Sequence, residues 1–319
     1  MIGMLILFVG ASLNALEADV SRSPGDTLPG AVTDEWLNQL QDENGNRILT
    51  GSDPESDAFQ IRTMSGFGAG DRFGNSVSSA GDVNGDGYDD LIVGAYANDG
   101  GGTDAGRAYI YFGGISFNTV PDVILTGELA GDNFGGIVSS AGDVNGDGFS
   151  DVIVSARTGP ATSGRIYIFF GGYLMNNIPD VVINGEQVGD AFGTSVSDAG
   201  DVNGDGYGDI VAGASQQFGI RQGKMFVFFG GSSMDTIPDV VALGEAVEYD
   251  LGVAVSEAGD VNGDGFDDVI AGSHMYNISG TGKAYIYFGG TSMDSLPDVT
   301  FTGLAAGDQF GSTLSEVTM

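Results

Sequence analysis

Four nine-residue segments of the form D-x-N-x-D-G-x-x-D concentrate the oxygen donors of this chain. The first offers side-chain oxygens at Asp82, Asn84, Asp86 and Asp90, and a backbone carbonyl at Tyr88. The second offers Asp143, Asn145, Asp147, Phe149 and Asp151, and the third Asp201, Asn203, Asp205, Tyr207 and Asp209. The fourth offers Asp260, Asn262, Asp264, Phe266 and Asp268. Positions 1, 3, 5 and 9 present carboxylates or a carboxamide, position 7 a carbonyl, and glycine at position 6 permits the sharp turn that folds them around one ion. Hard oxygen donors in a flexible ring suit Ca²⁺ better than Mg²⁺, which demands stricter octahedral geometry. Four Ca²⁺ sites are therefore expected. A metal-free Asx-rich turn would also favour D-G and N-G. It would not require aspartate at positions 1, 5 and 9 four times over. Nor are these EF-hands, because Val93, Val154, Ala212 and Ala271 stand where a bidentate glutamate would be needed.

The elements that hold these loops recur with them. Successive leading aspartates lie about 60 residues apart, in phase with a Pro-Asp-Val marker at Pro121, Pro179, Pro238 and Pro297. Paired glycines begin at Gly113, Gly171, Gly230 and Gly289 in the same phase. Each unit reads as four strands. The first (Asn75–Ala80) carries small side chains suited to an inner strand. The second (Leu91–Ala95) is a continuous apolar run, as for a strand buried on both faces. The third (Arg107–Phe112) alternates and ends in aromatics, and the fourth begins at Pro121. The fold class is all-β, a β-propeller of four-stranded blades. Blades are expected at about 66–126, 127–184, 185–243 and 244–302, within a propeller domain over 58–319. Phe59–Ser65 lines up with a fourth strand, and Phe310–Ser315 with a first strand in a partial blade over 303–319. The phase implies further blades in a longer chain.

Composition narrows the function. The 319 residues include 56 glycines, yet 41% are hydrophobic, which suits short strands and tight turns rather than disorder. With 44 acidic against 10 basic residues, the formal charge is −34. Nucleic acid and anionic membrane surfaces are thereby excluded as partners, with no direct membrane insertion. There is no cysteine, so disulfides and thiolate chemistry are absent. Residues 1–18 read as a signal peptide and 19–57 as a polar linker, with a short helix expected around Asp34–Gln41. Asn277-Ile-Ser279 is an N-glycosylation sequon.

The order Phe73-Gly74, oxygen-rich loop, Gly94-Ala95 resembles the FG-GAP repeat of integrin α-subunit propellers and related bacterial surface proteins. That resemblance implies a seven-bladed propeller, with calcium in the hairpins between first and second strands on one face. Leu251-Gly252, Ser155-Ala156 and Gly272-Ser273 depart from the motif without touching a calcium donor. The loops joining second to third strands differ most among the units and hold Arg157, Phe218, Arg221, His274 and Tyr276. A protein or glycan ligand is expected on their face, opposite the calcium loops. The reading is a non-catalytic, secreted or cell-surface recognition and adhesion module, its first hairpins pinned by Ca²⁺. One alternative is the propeller portion of a secreted hydrolase or lyase; another is a purely structural surface repeat. One histidine and no cysteine leave few nucleophile–base pairs for an enzyme.

Overall fold

Each repeat unit holds one block of short apolar or alternating runs punctuated by glycine, and each block forms one antiparallel sheet. The computed structural model describes residues 63–157, 163–215, 222–246, 249–274 and 280–315. The expected signal peptide, the linker with its helix, Phe218, Arg221, Tyr276 and the sequon lie outside these. The first sheet comprises β1 (Val77–Gly81), β2 (Asp90–Ala95), β3 (Arg107–Tyr111) and β4 (Val123–Thr126). The second comprises β5 (Phe134–Gly142), β6 (Asp151–Ala156), β7 (Arg165–Phe169) and β8 (Val181–Asn184). The third comprises β9 (Phe192–Gly200), β10 (Asp209–Ala214), β11 (Lys224–Phe228) and β12 (Val240–Leu243). The fourth comprises β13 (Leu251–Gly259), β14 (Asp268–Ser273), β15 (Lys283–Tyr287) and β16 (Val299–Thr302). In every sheet the strands pair in sequence order, and no helix occurs among the described residues. The structure is all-β, with four four-stranded blades as the repeat phase requires.

The apolar core lies between the sheets. Ile92, Ala108, Ile110, Val123 and Leu125 of the first sheet pack against Phe134, Val138, Val152, Val154 and Tyr167 of the second. On β6 the intervening residue, Ile153, joins Ile166 and Ile168 in facing Phe192, Ile210 and Phe226 of the third sheet. Val211, Met225 and Val227 then face Leu251, Val269 and Tyr285 of the fourth. Alternate residues of one strand therefore serve two interfaces. This explains why β2, β6 and β10 read as unbroken apolar runs: all six residues of each are buried. The first strands β1, β5, β9 and β13 contact one another in turn. Their Ser, Ala, Gly and Val side chains leave room for that approach.

The FG residues join the blades. Phe134 N–H donates to Ala105 O (3.0 Å), Phe192 N–H to Ser163 O (3.0 Å) and Phe310 N–H to Thr281 O (3.1 Å), each reaching into the preceding sheet. Leu251, which replaces phenylalanine, makes the same bond to Gln222 O at 3.3 Å. The following glycine lies against the glycine of the preceding G-A segment. A Cβ on Gly94 would sit 2.1 Å from Gly135 O, and one on Gly213 or Gly272 would sit 1.9 Å from Gly252 O or Gly311 O. In the second blade Ser155 takes that place, and its buried hydroxyl accepts the Ile137 N–H at 3.0 Å.

Strand bounds differ slightly from expectation. The inner strands β5, β9 and β13 run to nine residues because they include the FG pair, and each ends in a bulge at the loop. Pro121 precedes β4 rather than opening it. Phe310 forms an isolated bridge to Gly282, and 311–315 carry no strand, since no second strand pairs with them among the described residues. Three of the four cations that open the third strands meet carboxylates: Arg165 with Glu128 (3.8 Å), Lys224 with Glu186 (2.5 Å) and Lys283 with Glu245 (2.5 Å). Half-exposed pairs of this kind contribute about 0–1 kcal/mol each.

Gly213→Ala should therefore destabilise the protein by roughly 1–3 kcal/mol through backbone overpacking. Phe134→Ala should cost roughly 3–5 kcal/mol, since the ring is 1% exposed and stacks edge-on with Tyr167 and Phe169. Urea denaturation of each variant measures both losses.

Candidate metal centre

Each oxygen-rich loop connects the first strand of a blade to the second and is shaped by its own aspartates. In the first loop Asp82 Oδ1 accepts from Gly85 N–H (2.8 Å) and Asp86 N–H (3.0 Å), while Oδ2 accepts from Gly87 N–H (2.8 Å). Asn84 Oδ1 accepts from Asp86 N–H (2.8 Å), and Asp86 Oδ1 from Tyr88 N–H (3.0 Å). Gly85 and Gly87 take φ values of 74° and 89°, in the region that favours glycine. The same bonds recur around Asp143, Asp201 and Asp260 within about 0.1 Å. Four copies of one local geometry follow from four copies of one local sequence.

Position 9 is held differently. Asp90 begins β2, and its Oδ2 accepts the Val83 N–H (2.9 Å) while Oδ1 accepts the Gly113 N–H (2.7 Å). The first of the paired glycines thus anchors the loop to the end of β3. Asp151, Asp209 and Asp268 repeat the pattern with Gly171, Gly230 and Gly289, each at 2.8 Å. The Pro-Asp-Val marker has a related role: Asp122 Oδ2 accepts Phe112 N–H at 2.8 Å, tying β4 to β3. Asp180, Asp239 and Asp298 do the same for Phe170, Phe229 and Phe288. These two markers carry hydrogen-bond duties that their recurrence signalled but did not specify.

The electrostatics favour a cation. Burial, and after it the like charges of Asp147 and Asp143, raise the Asp151 carboxyl to about 7 against the help of two amide donors. Asp209 is raised to about 7 and Asp90 to about 6 by the same causes, burial first, and Asp268 is raised likewise. In the second, third and fourth loops the asparagine Nδ2 donates to the position-5 aspartate at 2.9–3.1 Å, placing partial positive charge between two acids. Among the described residues no three carboxylates or imidazoles are already gathered about one point as a metal would gather them. The aspartate oxygens are engaged with amide hydrogens instead. The donor chemistry nonetheless fits a hard divalent cation: five donor groups per loop, a net excess of negative charge, and lone pairs left on the oxygens that accept a single N–H, though the position-1 Oδ1 accepts two.

Of the residues predicted as ligands, each set of five lies in one hairpin, with its aspartate oxygens turned to amide hydrogens rather than to a common point. His274 and Arg157 lie at the opposite ends of the blades, beyond β14 and β6. The antiparallel meander puts the turns after first and third strands at one end of a sheet and the loops after second strands at the other.

Repeated four-stranded sheets, each with a D-x-N-x-D-G-x-x-D hairpin and FG-to-glycine junctions, define a class of propeller repeat. The FG-GAP repeat family matches residues 73–111, 134–169, 192–224 and 254–287, one match per blade. The chain thus carries four FG-GAP repeats. It is similar to integrin alpha-5 of Xenopus laevis, 36% identical over 180 residues, covering 52% of this chain and 16% of that protein. Integrin alpha-IIb of Mus musculus is 36% identical over 152 residues (44% and 15%), and integrin alpha-8 of Gallus gallus 28% over 231 residues (67% and 20%). The chain spans a fifth or less of the length of these relatives.

Asp151→Ala should cost roughly 2–4 kcal/mol even in chelator, because it strands the buried Val144 and Gly171 amides. Asp147→Asn should leave stability in chelator nearly unchanged. Denaturant titrations in EDTA distinguish the two.

Proposed function

We propose that this protein is a calcium-binding, extracellular adhesion-type propeller that recognises its partner without catalysis. The observation that carries the reading is the fourfold hairpin with one donor set: Asp, Asn and Asp at positions 1, 3 and 5, an aromatic carbonyl at 7, and a buried Asp at 9. Calcium bound there would neutralise carboxylates that burial and mutual repulsion otherwise penalise, and would join the first strand to the second. The chain's own amides hold the loop in its turn, while its carboxylate oxygens face amide hydrogens rather than a common point, so the ion would still have to draw the donors together.

The similarity to integrin α-subunits supports placement at the cell surface or in secretion, and a protein or glycan partner. Residues 1–18 are proposed as the signal peptide and 58–319 as the propeller domain. The loops after the second strands are proposed as the recognition face, since they differ from blade to blade while the scaffold repeats. In the one that is described in full, Asn98 donates to Asp71, and Asp99 accepts from Asp104 N–H, so the loop is braced rather than slack. A non-catalytic role is supported by the carboxylates: those of the oxygen-rich loops shape their own hairpins, and Glu128, Glu186 and Glu245 pair with strand-opening cations.

The test is a thermal and chemical melt of the whole chain in 2 mM Ca²⁺ and in EDTA. With a Kd of ~0.1 mM per loop, calcium should add roughly 1.8 kcal/mol per loop and about 7 kcal/mol for four. Asp147→Asn should remove at least one quarter of that gain. Identical melts in calcium and EDTA would overturn the calcium reading.

A further inference from the structure

The aromatic at position 7 was assigned above only through its carbonyl, yet its ring points to the neighbouring blade. The Phe149 ring lies over Gly85, position 4 of the preceding loop, so closely that a Cβ there would stand 2.5 Å from Phe149 Cε1. Tyr207 covers Gly146 at 2.5 Å and Phe266 covers Gly204 at 2.4 Å in the same way. Phe149 is itself held edge-on by Tyr173 at a centroid distance of 4.8 Å.

Backbone bonds run along the same path. Asp82 O accepts from Ser150 N–H (3.1 Å) and Val83 O from Gly172 N–H (2.7 Å), both donors belonging to the second blade. Asp143 O and Val144 O accept from Gly208 and Gly231 (2.9 and 2.7 Å), and Asp201 O and Val202 O from Asp267 and Gly290 (3.3 and 2.7 Å). Asp267 Oδ2 also accepts Asp201 N–H at 2.8 Å. Val83, Val144 and Val202 at position 2 are fully buried in the inter-blade core. Positions 1, 2 and 4 of each of these three loops are thus fixed by the loop and turn of the blade that follows. The fourth loop differs: nothing stands within 4 Å of a Cβ on Gly263, and Val261 is 37% exposed.

We propose that Phe149, Tyr207 and Phe266 are positioning residues that clamp the ion loop of the preceding blade, so that calcium ions in neighbouring loops bind with positive coupling. The inference rests on the calcium reading above. Packing a loop around its ion draws its position-7 residue into place, and that ring closes the loop before it. Ordering supplied by one ion thereby reduces what the next ion must supply.

The test uses the full chain with the third and fourth loops silenced by Asp205→Asn and Asp264→Asn, titrated with Ca²⁺ against a chromophoric chelator. The expected result is a Hill coefficient above 1 for the two remaining loops. Silencing the second loop by Asp147→Asn should then weaken the first by about tenfold, within the usual 5–150-fold range of site coupling. Phe149→Leu should abolish the coupling while two ions still bind, and Phe149→Tyr should preserve it. Unchanged affinity of the first loop in the Asp147→Asn chain would overturn the proposal. A second readout is amide hydrogen exchange in EDTA. Phe149→Leu should speed exchange at Gly85, Asp86 and Gly87 more than at Gly146 and Gly148, and equal effects on both loops would refute the clamp. If the parent chain takes up no calcium, the functional reading and the ion coupling fall together, while the exchange experiment still decides whether the clamp exists.

Discussion

Everything in this structure depends on sheets packed face to face, the second and third having a neighbour on both sides. A second strand such as Asp151–Ala156 is buried along its whole length, with Val152 and Val154 turned to one neighbour and Ile153 to the other. A blade alone would leave both apolar faces in water, at a cost of about 25 cal/mol for each Å² so exposed. Stability is therefore a property of the interfaces and accumulates along the array. The backbone must come close at each junction for those faces to meet, and the paired glycines allow it. At Gly213 and Gly252 a single methyl would collide with a carbonyl. Where Ser155 intrudes, its hydroxyl is given the Ile137 amide as a partner.

The same junctions organise the loop face. The hairpin turn of one blade does not end at its own strands, because the next blade donates amides to its carbonyls and lays a ring on its glycine. Position 9 adds a third anchor by gripping the end of β3 within the blade. Carboxylates are thus held in fixed places by neutral donors, and their charge is left for a cation to balance. In a chain of formal charge −34, the calcium binding proposed above would show in stability as well as in occupancy.

The opposite ends of the blades follow another logic. There three of the cations opening the third strands pair with glutamates and lie over aromatic rings, Arg165 over Tyr167, Lys224 over Phe226 and Lys283 over both Tyr249 and Tyr285. These contacts secure the strand ends while the loops above them vary. A rigid, repeated base with unlike loops is the arrangement in which recognition can change without disturbing the fold.

Local sequence determined the strands, the blade count within the repeats and the grouping of five donors per hairpin. Each depends on periodicity, on glycine, and on side chains reaching backbone groups two to five residues away. The loop geometry repeats within about 0.1 Å for that reason. What the tertiary structure alone decided are relations between separate strands and turns, from 10 or 23 residues apart within a blade to about 60 between blades. Asp122 and Gly113 were visible as recurring letters, but their bonds to Phe112 and Asp90 arise only when β3 lies between its partners. The extension of the inner strands to Phe134 required the preceding blade to receive it. The lack of a strand over 311–315 has the converse cause, since a strand needs a partner and none of the described residues pairs there. The ring of Phe149 over Gly85 is the clearest case. Nothing in either loop's own sequence points to the other, and only the packing of one blade on the next brings them together.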